Sequence, residues 1–210
     1  MKRIIFFLFI ATIGIVSCKD KKTTTEKDAV TEQKTETVMT PDLTKDSTAI
    51  RTVIMNFYNW YNTNFAKFQE YDLYSGIKKK DMPPYKINWD QVTKYQDFIR
   101  TSVPQLGEEF LSNQKKFFQQ CDSAFKTDTQ DELPYGFDYD WYTNTQEDPQ
   151  YTLDEMNKAK QWIINVNGDN ATTEVKGTFD DNGKQTEMTV IKLALKKESG
   201  QWKIAKIGTE

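Results

Sequence analysis

The chain predicts an α+β domain in which N-terminal helices pack on a C-terminal curved antiparallel β-sheet of about four strands. Three observations carry this expectation. Apolar residues recur at three- and four-residue steps up to about residue 125, then alternate by two after residue 160. The sequences Asn167-Gly168-Asp169-Asn170, Asp180-Asp181-Asn182-Gly183 and Glu198-Ser199-Gly200 punctuate that last part at hairpin spacing. Each alternating run is apolar on one face only, so the sheet needs a cover, and the helices are the only candidate.

Before the domain comes an address. Met1-Lys2-Arg3 is a basic head, followed by the apolar run 4–16, too short to span a hydrocarbon core as a helix. The run ends Ile15-Val16-Ser17-Cys18, which resembles a bacterial lipobox, so residues 1–17 are read as a signal peptide. That resemblance implies a mature chain starting at Cys18, acylated and anchored in the lipid of the cell envelope. An outer membrane is expected, at its periplasmic or surface face. Two or three acyl chains hold far more firmly than one, since each buried methylene contributes about 0.8 kcal/mol. Residues 18–47 then form a spacer without aromatics or apolar period, a composition that buries too little surface to offset chain entropy. The folded domain is expected over 48–210.

Its first helix is predicted over 48–68, with Ile50, Val53, Ile54, Phe57, Trp60, Tyr61, Phe65 and Phe68 inward and Asp46 or Ser47 at its start. A loop follows through Lys78-Lys79-Lys80 and Pro83-Pro84. Asn88 and Gln91 have capping-box spacing for a second helix that turns Trp89, Val92, Tyr95, Phe98 and Ile99 inward. Ser102 and Pro104 open a third, to about residue 125, with the stripe Leu106, Phe110, Phe117, Cys121 and Phe125. Residues 126–155 have no period and read as a long loop, and loops of that length in compact domains are usually functional or disordered. Four strands close the chain at 161–166, 171–179, 186–197 and 202–207. In the second, Val175, Gly177 and Phe179 share a face; in the third, Thr189, Ile191, Leu193 and Leu195 do.

Composition narrows function more than it assigns it. The sequence holds 28 basic and 31 acidic residues, a net charge of −3, so nothing favours a nucleic-acid phosphate backbone. Histidine is absent, which removes Ser-His-Asp and Cys-His nucleophiles and zinc sites that need imidazole. Only Cys18 and Cys121 are present; with Cys18 acylated, Cys121 is a lone thiol on an apolar stripe, read as inert.

The long aromatic-rich first helix and the closing pair VIKLALKKESGQWKIAKI, with Gly200-Gln201-Trp202-Lys203-Ile204 its most typical piece, resemble the nuclear transport factor 2-like (cystatin-like) cone fold. Together with the lipobox, Tyr58-Asn59-Trp60-Tyr61 and the run from Asp138 to Asp148, they resemble an uncharacterised lipoprotein family of that fold, the domain of unknown function 3828. The resemblance implies a cone-shaped domain that can pair through its open sheet face into a homodimer. It implies no activity, because the fold hosts enzymes, ligand binders and protein-binding modules alike.

Candidate chemistry concentrates in the 126–155 loop. Asp138 and Asp140 could ligate Ca²⁺, but the residues around them lack an EF-hand's glycine and third ligand, and Asp138 serves equally as a turn acceptor. Trp60, Tyr61, Trp141 and Tyr142, with Trp89 and Tyr95, line a cavity or simply fill the core. Asp138, Asp140, Trp141, Tyr142, Gln146, Trp60 and Tyr61 are therefore the candidate binding residues. No cofactor, metal or catalytic set is assigned. A non-catalytic domain binding a protein or peptide is the leading expectation. A small-molecule or sugar carrier is the alternative, and a ketosteroid isomerase-like enzyme, which needs a carboxylate of raised pKa beside a tyrosine, is the third.

Overall fold

The computed structural model of the chain describes residues 43–76, 82–129 and 134–208. The signal segment, Cys18, the spacer to residue 42, the run Lys78-Lys79-Lys80, Asp131 and Glu132 lie outside the described residues. Helices α1 (Leu43–Phe68), α2 (Trp89–Ser102), α3 (Glu108–Phe125) and α4 (Pro149–Lys158) precede strands β1 (Gln161–Asn167), β2 (Asn170–Asp181), β3 (Lys184–Glu198) and β4 (Gln201–Ile207). The strands form one antiparallel meander in the order β1-β2-β3-β4. This is the α+β layout the sequence predicts, with helices first and strands last.

Helix α1 begins five residues earlier than its apolar period suggests, and Asp46 lies inside its first turn. Instead of capping the helix, the Asp46 carboxylate accepts from Trp202 Nε1 at 2.9 Å and Lys197 Nζ at 3.1 Å, fastening α1 to the end of the meander. These bonds and the Lys197 charge hold Asp46 below the usual carboxylate range. Ile50, Ile54, Phe57, Tyr58, Tyr61 and Phe68 form the buried stripe of α1. Each such side chain contributes about 1.5–3 kcal/mol over leaving it in water.

Asn88 occupies the N-cap of α2, yet the expected capping box is not made. The Asn88 N–H, which Gln91 would have to reach, already donates to Leu73 O at 2.9 Å. Trp89 is correspondingly turned outward rather than into the core, while Val92, Tyr95 and Ile99 are buried. Helix α3 starts later than expected because Ser102 ends α2 and the segment after it runs along β4: Ile204 N donates to Gln105 O, and Gly107 N to Ile204 O. The N-terminal N–H groups of α3 are satisfied from the sheet, where the Glu198 carboxylate accepts from Glu108 N and Glu109 N at 3.1 and 3.4 Å. The inward stripe of α3 includes Phe118 and Gln114, with Phe117 half-buried beside it.

The 126–155 loop holds an unexpected helix, α4. Asp148 caps it by accepting from Gln150 N at 2.8 Å, Pro149 takes the first position, and Thr152, Leu153 and Met156 are buried.

All four strands lie within a few residues of expectation, and the turns carry the left-handed backbone that their sequences favour: Asn182 at φ 54° with Gly183 at 85°, and Ser199 at 50° with Gly200 at 77°. Ala171, Thr173, Val175, Ile191, Leu193, Leu195, Trp202, Ile204 and Ala205 are the buried sheet residues. Three residues of the expected inward faces, Gly177, Thr189 and Phe179, are not among them. The β2–β3 register shifts between Val175 and Lys176, leaving Val190 as the extra residue, so Thr189 faces out and donates to Glu174 Oε1 at 2.7 Å. Phe179 lies beyond Lys176, the last β2 residue paired with β1, and is 45% exposed.

Candidate functional site

Residues 134–148 connect the region after α3 to α4, and short-range bonds shape them. Phe137 N donates to Pro134 O at 3.0 Å, Asp140 N to Thr145 O at 2.8 Å, and Asn144 N to Asp140 O at 2.7 Å. Trp141 Nε1 donates to Gly136 O at 2.6 Å, and its ring meets Phe117, Phe118 and Phe137 edge-on. Gly136 sits at φ 79°, where a side chain would run into the Phe117 ring and Cys121 Sγ.

Tyr142 turns into the core and is 2% exposed. Its hydroxyl shares a hydrogen bond with Tyr95 Oη at 2.7 Å and accepts from Gln114 Nε2 at 3.0 Å; its carbonyl accepts from Tyr58 Oη at 2.7 Å. Around the Tyr142 ring stand Phe57, Tyr61, Phe68 and Phe110, with centroids 4.8–6.0 Å away. Burial pushes the Tyr142, Tyr95 and Tyr58 hydroxyls above the ordinary tyrosine range, so all three remain protonated.

Asp140 is the second fastening. Its Oδ2 accepts from Tyr61 Oη at 2.7 Å and its Oδ1 from Tyr142 N at 2.7 Å. The turn acceptor of this segment is thus Asp140 rather than Asp138. Desolvation raises the Asp140 pKa, with the hydrogen bonds from Tyr61 and the backbone working against it. The carboxylate–tyrosine pair that an isomerase-type site requires is therefore present. In this arrangement each carboxylate oxygen is already committed, one to Tyr61 and one to the loop backbone.

Outside this fastened core runs an open groove of about 840 Å³, between the C-terminal part of α1, residues 69–74 and residues 137–149. It gathers Tyr61, Asp138, Asp140, Trp141, Tyr142 and Gln146 from the candidate set. Trp60 does not belong to it; it sits half-buried between α1 and α2, against Phe68 and Phe98. Among the described residues, the lining carries the carboxylates of Asp138, Asp140, Glu147 and Asp148 and no lysine or arginine. Asp138, Tyr139, Gln146 and Glu147 are exposed along its rim, and Gln146 Nε2 braces the rim by donating to Asp138 O at 3.0 Å.

Sequence reasoning missed Tyr58, Gln114, Phe65, Tyr71 and Tyr74. Gln114 left a signal: it stands four residues from Phe110 and four from Phe118, a polar side chain within an apolar stripe. Phe65, Tyr71 and Tyr74 reach the groove only through the fold. Cys121 is buried and its thiol is pushed up to about 12 by desolvation. Among the described residues no three His, Cys, Asp or Glu side chains converge as a metal site would require, and no helix is long and apolar enough to cross a membrane. No protein-family model, curated protein or solved structure matches the chain.

Proposed function

We propose that this chain is a lipid-anchored binding protein of the cell envelope, tethered through acylated Cys18, whose groove takes a basic segment with apolar side chains from a protein partner. One observation carries the reading: aromatic rings and four carboxylates share the groove lining, with no cation among the described residues. Rings supply contact area at low conformational cost, and carboxylates at the rim steer and select a cationic partner. The groove is open to solvent, which suits a peptide better than the enclosing pockets that small molecules favour. Binding is preferred to turnover because the one carboxylate desolvated beside a tyrosine, Asp140, already spends one oxygen on Tyr61 and the other on the loop backbone. The lipobox motif at residues 15–18 supports the anchor, and the assignment to the nuclear transport factor 2-like lipoproteins rests on the same sequence motifs.

A labelled decapeptide alternating lysine with leucine and tryptophan tests the groove, with a glutamate-for-lysine version as control. Fluorescence anisotropy should show binding of the basic peptide, weakened roughly three- to tenfold by joint Asp138→Asn and Glu147→Gln substitution and weakened further by salt. Equal affinity for the acidic peptide, or indifference to the double substitution, rejects the reading. Fractionation tests the anchor: Cys18→Ala should release the chain from membranes, and unchanged sedimentation with them refutes acylation.

A further inference from the structure

The two edges of the sheet are finished differently. On one side β4 is covered by the segment before α3, through Ile204 N to Gln105 O and Gly107 N to Ile204 O. On the other, β1 is the last strand of the order, and among the described residues no strand lies beyond it. A two-residue turn joins β1 to β2 and pairs Asn167 with Asn170. The pair flanking such a turn is hydrogen-bonded, so alternation directs the backbone N–H and C=O of Asn167, Asn165 and Ile163 toward β2. The same groups of Val166, Ile164 and Trp162 then point to the free edge, and no hydrogen bond among the described residues engages them.

Exposed edges are normally blunted by charge, proline, a bulge or shortness. β1 reads Gln161-Trp162-Ile163-Ile164-Asn165-Val166-Asn167: seven residues, no charge, no proline and no register shift against β2. It is also self-complementary. In an antiparallel pair of two copies centred on Ile164, Gln161 faces Asn167, Trp162 faces Val166, Ile163 faces Asn165, and Ile164 faces itself. No charge meets a like charge, and amide meets amide at both ends. The centre falls on a residue whose backbone groups point outward. Three pairs, 162 with 166, 164 with 164 and 166 with 162, would therefore exchange two bonds apiece, about six in all.

We propose that β1 is the seam of a symmetric dimer, two copies of this chain joining edge to edge into one continuous eight-stranded sheet. The contact is isologous and closes on itself, so it stops at two. The outer face of the sheet, through which the resembled cone fold would pair, is less suited. Lys176 bridges Glu174 at 3.0 Å and Glu187 at 3.2 Å, and Lys192 stands 3.6 Å from Glu174, charges that a face-to-face contact would have to desolvate.

The test uses the full chain extracted from membranes in detergent. Analytical ultracentrifugation should give a protein mass of two chains, and Ile164→Pro, which removes an outward N–H, should halve it while far-ultraviolet circular dichroism stays native. Because that variant could lose its fold, crosslinking reads the same seam independently. Residue 164 faces its own copy at about 5.5 Å between Cα atoms, within disulfide reach, so Ile164→Cys should form a covalent dimer under mild oxidant. Thr172→Cys, exposed on the outer face of β2, should not, and neither should the native chain, whose Cys121 is fully buried. A native chain of single mass at about 100 μM, absence of the Ile164→Cys crosslink, or preferential crosslinking through Thr172→Cys overturns the proposal.

Discussion

Tyr139 and Tyr142 stand three residues apart in one connecting segment and do opposite work. Tyr139 is 37% exposed on the groove rim, whereas Tyr142 is 2% exposed and satisfies Tyr58, Tyr95 and Gln114 through its own carbonyl and hydroxyl. The carboxylates repeat the division. Asp138 faces solvent beside the groove, and Asp140 accepts from Tyr61 and from the Tyr142 backbone. One row of side chains nails the segment to the core, and the alternate row is thereby held out as a rigid rim. Under the proposed function, the bonds of the inner row are what would hold the rim in place for a partner.

Removing the Tyr142 hydroxyl is the harshest test of that division. Tyr142→Phe keeps the ring but leaves Tyr95 Oη and Gln114 Nε2 buried with one partner fewer, at about 1–3 kcal/mol for each group. Urea denaturation should therefore show a loss of about 2–4 kcal/mol, against less than about 0.5 kcal/mol for Tyr139→Phe. Equal losses would erase the distinction between the rows.

The next contrast separates stability from binding. Asp140→Ala strips the acceptor from Tyr61 Oη and Tyr142 N and should cost about 2 kcal/mol in denaturant midpoint. Asp138→Ala should leave stability within about 0.5 kcal/mol and weaken the basic peptide in anisotropy. If Asp138→Ala proves the more destabilising of the two, the rim is structural and the groove reading falls with it.

The inner row is easier to suspect from sequence than to place. Asp140, Tyr61 and Tyr142 stand among the residues that the sequence offers for binding, and they do meet, but in the interior. Their partners lie 79 and 84 residues away for Asp140–Tyr61 and Tyr142–Tyr58, and no local pattern encodes such meetings. The meander was legible for the opposite reason. Its turn chemistry and two-residue period are local, and both survive into the fold, except at the β2–β3 bulge, which turns Thr189 out, and at the β3–β4 register shift, where Ile204 and Ala205 are buried in succession. Helix α4 has a local signal as well, Asp148-Pro149, a cap followed by a first-turn proline, which the missing apolar period across 126–155 masks. The capping box at Asn88 failed because Leu73, a residue from another segment, already holds the N–H it needs.

Asp148 belongs to both rows at once, capping α4 while lining the groove. Asp148→Ala should cost about 1 kcal/mol, a helix cap's usual worth, and also reduce peptide affinity. Asp148→Ser restores a capping oxygen without the charge. Its stability should return while its affinity stays low, measured by urea midpoint and anisotropy on the same samples. Recovery of both would show that the cap geometry, and not the charge, is what the peptide reads.

The smallest effect has the most informative sign. Asp140 has a raised pKa in the fold, so its contribution is full below the unfolded carboxylate value and is lost as pH rises through the folded one; at neutral pH the domain already bears that cost. Asp46 has a lowered pKa, so its contribution is present above the unfolded value and is lost as pH falls through the folded one. The stability advantage of the native chain over Asp140→Asn should therefore grow between pH 7 and pH 4, while its advantage over Asp46→Asn should shrink. Neither asparagine titrates, so each comparison isolates one carboxylate, and urea midpoints of the three chains at the two pH values suffice. Parallel trends for the two variants would mean that Asp140 is as well solvated as its neighbour on the rim, and the segment would then be held by its rings alone.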